Sequence, residues 1–518
     1  MVLCAWALSI LACSQDFMGI QPTPTANKAA AVAALPDAST QIAEITKVED
    51  TPAPAAETPT PQLPALTNTP EPSPTPIGRS TQAPPILYYT QAGDTLKALA
   101  VRFGVQPEEI TSPETISQEG LFNPGVLLLI PQRLGDTSSA NKLVPDSEIV
   151  YSPSALDFDI ETYVHDAGGY LSTYREYRAT GWFTGAGIIR RVAIENSINP
   201  RLLLAILEIQ SHWVKGQPAG IAQTDFPIGW LTAENEKKGL YYQLSWAVQQ
   251  LNIGYYWWRE GTLTELSFPD GGKLRLNPEL NAGTVSLLYL FSKLYNQPQW
   301  AGILYGPDGM IHLYEDMFGS PWLRSQAVEP LFPATLTQPP IELPFAPGRT
   351  WSFTGGPHSA WNTDGARAAL DFAPSAVEHG CYESDDWAVA GAAGLVVRSE
   401  NAVVVIDLDG DGYEQTGWSL MYLHIAAKDR IQAGVWVNLN DPIGHPSCEG
   451  GIATGTHIHL ARKYNGEWIL ADGPMPFVLS GWRAHADPEL YQGWLTKGSE
   501  TVYSSLVGSF ESRITRPK

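Results

Sequence analysis

Apolar positions along the chain change their spacing twice. In YYTQAGDTLKALAVRFGVQPEEI a strand-like start breaks at the GD turn, and Leu96, Leu99, Ala100 and Phe103 then share one helix face; LFNPGVLLLIPQRL closes the segment as a short strand. From 150 to about 340 the spacing is helical, in IIRRVAIENSINPRLLLAILEIQSHWV, LSWAVQQLNIGYYWW and NAGTVSLLYLFSKLY. From about 340 to 490 it shortens to runs such as AGLVVRS, AVVVIDL, WSLMYLHI and THIHLAR, separated by Gly, Asp and Asn turns, as expected of strands. With 518 residues the chain is too long for one ordinary core. The expected fold class is therefore multidomain. It comprises a small α+β module at 87–135, a mainly α middle domain at 150–340, a mainly β C-terminal domain of antiparallel sheets at 341–490, and a tail at 491–518.

The N-terminal stretch follows neither period. Residues 14–86 are rich in Pro, Thr and Ala, as in TPAPAAETPTPQLPALTNTPEPSPTP, so they are expected to stay disordered and partly extended, a tether for the folded domains. Before them, VLCAWALSILAC is apolar over about the length of a signal-peptide core and too short to span a bilayer. ILAC resembles a bacterial lipobox, which implies a signal at 1–13 and a lipid anchor on Cys13. A Lys or Arg n-region is missing, and ordinary secretion stays open as the alternative. Both readings place the protein outside the cytoplasm, at the cell envelope. Membrane contact is expected only through that anchor, because no other segment approaches the ~20 apolar residues of a membrane helix.

Charge narrows the partners. A formal net charge of -22 argues against nucleic acid or an anionic membrane surface, either of which needs a basic face to release counterions. The 17 Trp and 21 Tyr suit carbohydrate stacking or large cores, and composition does not choose between them. Cys381 and Cys448 are expected to pair as a disulfide if the chain is exported, with two buried free thiols as the alternative.

Two of the expected domains resemble known modules. Residues 88–134 resemble a LysM domain, a strand-helix-helix-strand unit, through GDTL, the FGV that ends the first helix and the closing NPG before LLLIP. That resemblance implies binding of N-acetylglucosamine-containing glycans, chiefly peptidoglycan, in a groove between loops. INPRLLLAILEIQSHW resembles the lysozyme-like lytic transglycosylases, whose acid is a Glu immediately before a Ser; here Gln210 precedes Ser211. Glu208 lies two residues earlier, roughly 200° around the helix, and a neutral amide cannot protonate a leaving oxygen. The middle domain is therefore expected to be non-catalytic, either cradling glycan or serving as a helical spacer.

The β-rich region holds the candidate chemistry: His358, Asp371, His424, and His457 with His459 in GTHIHL. Side chains at i and i+2 of a strand share a face, so His457 and His459 project together. A catalytic zinc takes three N or O ligands and keeps one position open, which four histidines and one aspartate exceed by two groups. Imidazoles left over can orient or deprotonate an attacking water and stabilise an oxyanion.

The segment resembles the lysostaphin-type zinc metallopeptidases. Their commonest HxxxD form is absent, since Arg367 stands four residues before Asp371. The beta-lytic branch carries its His in GG-x-H thirteen residues before the Asp, which GGPH and the interval His358 to Asp371 reproduce; LSGW at 479–482 resembles a further element of that branch. The resemblance implies that His358, Asp371 and His459 bind Zn2+ and that His424 and His457 are catalytic. It also implies a zinc endopeptidase that cuts peptide cross-links of bacterial peptidoglycan, with a preference for bonds next to glycine, held on the wall by the LysM module. A non-catalytic wall-binding scaffold, or an activator of a wall amidase, is the alternative, because relatives that have lost a ligand act that way.

Other polar groups are weaker candidates. His379 and His445 fall in loops near the site, whereas His165, His212, His312 and His485 are expected to be surface or packing residues. DLDGDGYEQTGW spaces Asp407, Asp409 and Asp411 like the first ligands of a calcium loop, but its twelfth position is Trp418 rather than a bidentate Glu, which favours a solvated hairpin turn.

Overall fold

The computed structural model describes residues 83–231, 237–375 and 380–518. The lipobox with Cys13, nearly all of the 14–86 linker, and His379 lie outside the described residues. Among the described residues no helix is long and apolar enough to cross a membrane.

The small module pairs β1 (Ile86–Tyr89) with β2 (Leu127–Ile130) antiparallel, and α1 (Leu96–Phe103) follows β1. Thr95 caps α1 by accepting from the Ala98 amide, and Gly104, at φ 67°, ends it in the left-handed region that favours glycine. Where a second helix was expected, the chain makes only a 3-10 turn over Pro107–Glu109. The aspartate of GDTL braces this module, since Asp94 accepts from Tyr88 Oη (2.6 Å), the Gln91 amide (2.7 Å) and Arg102 Nη1 (2.8 Å). Arg102 also donates to the Trp258 carbonyl and lies 4.4 Å over that indole, which joins the module to the helical region.

The helical region is built around α2 (Gly185–Asn196), α3 (Pro200–Ser211), α4 (Leu240–Glu260) and α5 (Ala282–Ser292). Asn199 caps α3 with Pro200 at its first position, as the sequence NP predicts. Glu208 is buried and accepts from the Val214 and Lys215 amides at 2.8 and 2.9 Å, so it holds the turn after α3. Gln210 Oε1 accepts from Tyr295 Oη at 2.6 Å, while its Nε2 is buried without a partner.

Nine strands form the main sheet. They include β3 (Thr350–His358), β4 (Ala369–Pro374), β5 (Gly394–Glu400), β6 (Val403–Asp407), β7 (Trp418–Leu423), β8 (Trp436–Val437), β9 (Ile458–Tyr464), β10 (Glu467–Trp468) and β11 (Arg513–Thr515). The antiparallel order is β8-β5-β6-β7-β9-β4-β3-β11, with β10 turning back on β9. The segment expected as a tail is instead structural. Gly493–Lys497 and Glu500–Tyr503 complete a second, four-stranded sheet with Val478–Leu479 and Trp482–Ala486, and β11 closes the edge beside β3.

Alternation sends the two faces of the main sheet to different cores. Leu370, Phe372, Val404, Ile406, Leu460 and Ile458 pack in one cluster with the four-stranded sheet. Ala369, Val403, Val405, Met421 and Ala461 pack in the cluster that contains the helices. The helical and β regions therefore share a continuous core rather than meeting at a thin contact. The β9–β10 hairpin is the chief intruder: Trp468 is buried, its amide donating to Tyr256 Oη at 2.9 Å and its indole N–H to the Asn196 carbonyl at 3.3 Å. Trp468→Ala is expected to destabilise the fold by about 3–5 kcal/mol and to expose the 331–341 connection to protease, as checked by denaturant unfolding and limited proteolysis.

Candidate metal centre

The five singled-out groups converge on the helix-facing side of the main sheet. His459 on β9 stands directly across from Asp371 on β4 and, on its other side, from Leu423 on β7. Its parity is that of Ala461, and that of Asp371 is that of Ala369, so both project toward the same face. His358 ends β3, whose register against β4 shifts twice, between Phe353 and Gly355 and again between Gly355 and His358. These shifts re-aim the strand end, as bulges beside sites commonly do. Gly355 allows the close approach: a Cβ there would stand 2.5 Å from Asp371 Oδ2.

The ring nitrogens are sorted by their outer bonds. His358 Nδ1 donates to the Gly356 carbonyl at 2.8 Å and His459 Nε2 to the Ala360 carbonyl at 3.0 Å. A carbonyl only accepts, so each ring carries its proton on the outer nitrogen and presents a lone pair inward. The inner atoms form a near-equilateral triangle: His358 Nε2 to His459 Nδ1 is 3.0 Å, and each lies 3.3 Å from Asp371 Oδ1. Three lone-pair donors facing one another repel unless a cation lies among them, and Asp371 Oδ1 is buried with no hydrogen-bond partner. Ligands at ~2.0–2.2 Å from a tetrahedral zinc stand ~3.3–3.6 Å apart, so the donor set and its spacing fit that ion. Burial lowers His459, which favours its neutral form.

Two further imidazoles border the triangle. His457 Nε2 lies 3.8 Å from Asp371 Oδ2, and the rings of His424 and His457 are 4.5 Å apart. Their Nδ1 atoms donate to the carbonyls of Glu449 (2.8 Å) and Gly455 (2.7 Å), which again leaves Nε2 free to accept. Burial, with His457 and His459 adding to it, brings His424 down to about 3. Strict alternation after Leu423 would put His424 on the other face; its left-handed φ of 68° turns it back.

The loops around His457 are tied together. Cys381 and Cys448 are disulfide-bonded, Ser447 bridges to His457, and the Thr456 amide donates to the Gly380 carbonyl at 3.0 Å. One neighbour had no sequence signal: Tyr491 stacks on His358 at 4.1 Å between centroids, from a segment whose apolar pattern marks nothing. His445 is buried against Trp387, 4.0 Å away, with Nδ1 donating to the Asp386 carbonyl, and it does not join the cluster. His485 stacks on Trp494. In the acidic turn the Asp407 carboxylate accepts from the Gly412 and Asp409 amides and Asp411 from Thr416 Oγ1, so these groups brace the turn between β6 and β7.

The chain is similar to several known proteins. The family model for the LasA N-terminal domain matches residues 142–331. Protease LasA of Pseudomonas aeruginosa (strain UCBPP-PA14) is 26% identical over 353 residues, 63% of this chain and 75% of that protein. Beta-lytic metalloendopeptidases of Achromobacter lyticus and Lysobacter enzymogenes are 27% and 26% identical over 158 residues, 29% of this chain and 39% and 82% of theirs. Among solved structures, the M23 metalloprotease pseudoalterin shares 19% identity, with a TM-score of 0.27, over 33% of this chain and 96% of its own.

Gly355→Ala should push the Asp371 carboxylate aside and weaken zinc binding about 10–100-fold, measured by competition with a chromophoric chelator. Converging lone pairs, an orphaned carboxylate oxygen and sequence similarity to LasA and the beta-lytic metalloendopeptidases together support a zinc metalloendopeptidase.

Proposed function

We propose that the protein cuts peptide cross-links of bacterial peptidoglycan outside the cytoplasm, with His358, Asp371 and His459 as the zinc ligands and His424 and His457 as the catalytic imidazoles. The observation that carries this reading is the sorting of ring nitrogens: two of them turn lone pairs toward one point beside the unpartnered Asp371 Oδ1, and two more Nε2 atoms lie free beside it. Zinc bound there supplies Lewis acidity toward a scissile carbonyl and acidifies water. The Gly356 and Ala360 carbonyls fix the ligand tautomers, so the ring nitrogens keep their lone pairs without rearrangement. One of His424 and His457 takes the proton of the attacking water at Nε2, and the other faces the oxygen that gains charge.

The small module is proposed to hold glycan strands as a LysM domain does. Its Gln91–Asp94 turn is engaged by the helical region, through Arg259 to the Ala92 carbonyl and Gln91 to the Glu279 carbonyl. Leu87 and Tyr89 on β1 stay exposed, so the glycan contact is proposed for that side of β1 rather than for a groove between loops. A lipid anchor on Cys13 would keep the enzyme at the envelope.

Purified His459→Ala is expected to contain no zinc. His457→Ala should retain zinc and clear a peptidoglycan suspension about 10²–10⁴-fold more slowly; full clearing by either variant overturns the assignment. Chelation should stop clearing by the wild-type chain and added zinc should restore it. A chain with neither zinc nor clearing would point to the scaffold or amidase-activator reading. Tyr89→Ala should leave more protein in the supernatant when insoluble peptidoglycan is sedimented, with zinc content unchanged.

A further inference from the structure

A cavity of about 390 Å³ lies where the small module, the end of α4 and the β9–β10 side of the sheet meet. None of the five imidazole and carboxylate groups of the zinc site lines it. Its walls include Val101, Leu121, Phe332, Leu470 and Met475. Arg259 and Glu467 also reach it, but they are paired with one another and with Tyr255 and Asp146. Asp472 is occupied as well, accepting from the Ala486 amide at 2.9 Å.

Three charged side chains remain: Glu260, Arg367 and Lys97 line the cavity, and none closes an ion pair among the described residues. Glu260 is the last residue of α4, at the negative end of a 21-residue helix dipole, and is half-buried beside apolar walls. Burial pushes it up to about 7, while Arg367 and Lys97 pull the other way through space without bonding to it. Arg367 has little other engagement, with one 3.4 Å contact to the Asp487 carbonyl. One acid and two bases without an ion pair among the described residues therefore line a common, largely apolar space.

We infer that this cavity is a binding site for a short zwitterionic peptide, its ammonium against Glu260, its carboxylate against Arg367 and Lys97, and its middle along the apolar walls. The volume is near the lower end of the ~300–1,000 Å³ typical of small-molecule sites, which suits one to a few residues and excludes a polymer or folded partner. The inference goes beyond the hydrolytic reading, since it requires neither zinc nor turnover.

The test is calorimetric titration of triglycine into the full chain carrying His457→Ala, stripped of metal with chelator, so that hydrolysis cannot consume the probe. Triglycine should bind, and N-acetyl-triglycine and triglycine amide should each bind about tenfold or more weakly, as expected for a lost charge-assisted contact. Glu260→Gln and Lys97→Met, each added to His457→Ala, should weaken triglycine by a similar factor with unfolding curves unchanged. If Glu260→Gln fails to fold, Lys97→Met and the acetylated probe decide. No binding at millimolar peptide, equal binding of the blocked peptides, or unchanged binding in the variants overturns the inference. Because metal is absent throughout, none of these outcomes depends on whether the chain cleaves peptidoglycan.

Discussion

A sheet whose two faces are both covered is the constraint on which this structure depends. Antiparallel sheets commonly leave one face to water, but here the helices close one side and the four-stranded sheet with its cluster closes the other. The middle strands accordingly lose their polar alternation: every residue of β6, Val403 to Asp407, is buried, as are five of the six in β7. The cluster of His358, Asp371 and His459 is a polar interruption of the helix-facing side. These groups are tolerated in that setting because each imidazole has an outer carbonyl partner and the remaining lone pairs point at one another, where a cation would satisfy all three.

Burial on that side also explains the charged groups between modules. Arg259 is deeply buried, and it reaches the Ala92 carbonyl in the small module, Asp146 in the connection, Tyr255 on its own helix and Glu467 on the β10 hairpin. A buried guanidinium left unpaired would be costly, so these four regions are held to one arrangement. The triad of Arg398, Glu414 and Lys463 works in the same manner nearer the sheet, and the two cations keep the Glu414 carboxyl at about 2 despite its burial.

The relation between site and cover follows from the same parity. Residues 359–368, which connect β3, ending at His358, to β4, carrying Asp371, are contacted from the helices by Asn196 to Asn362 and Gln249 to Thr363. Any motion of that loop is thereby coupled to the helical region, and the Ala360 carbonyl that orients His459 belongs to it. Tyr491 adds a wall by stacking on His358.

Much of the site was legible in one dimension. The i, i+2 rule puts His457 and His459 on one face, GGPH carries the third imidazole, and helical spacing marks α3 and α4, because these signals depend on neighbours in the chain. The boundaries were less legible. A strand signal as short as GWLTK or ETVY is weak in isolation, and it is pairing with Trp482–Ala486 that turns an apparent tail into sheet. Sequence alone thus determined which residues have the chemistry to ligate and where the longer helices and strands fall, since both are set by side-chain chemistry and local period. Only the tertiary structure decided that helices cover the face bearing the imidazole cluster, that a left-handed backbone at His424 returns its ring to the cluster, and that Glu260, Arg367 and Lys97 line one cavity, because each depends on contacts between segments far apart in the chain.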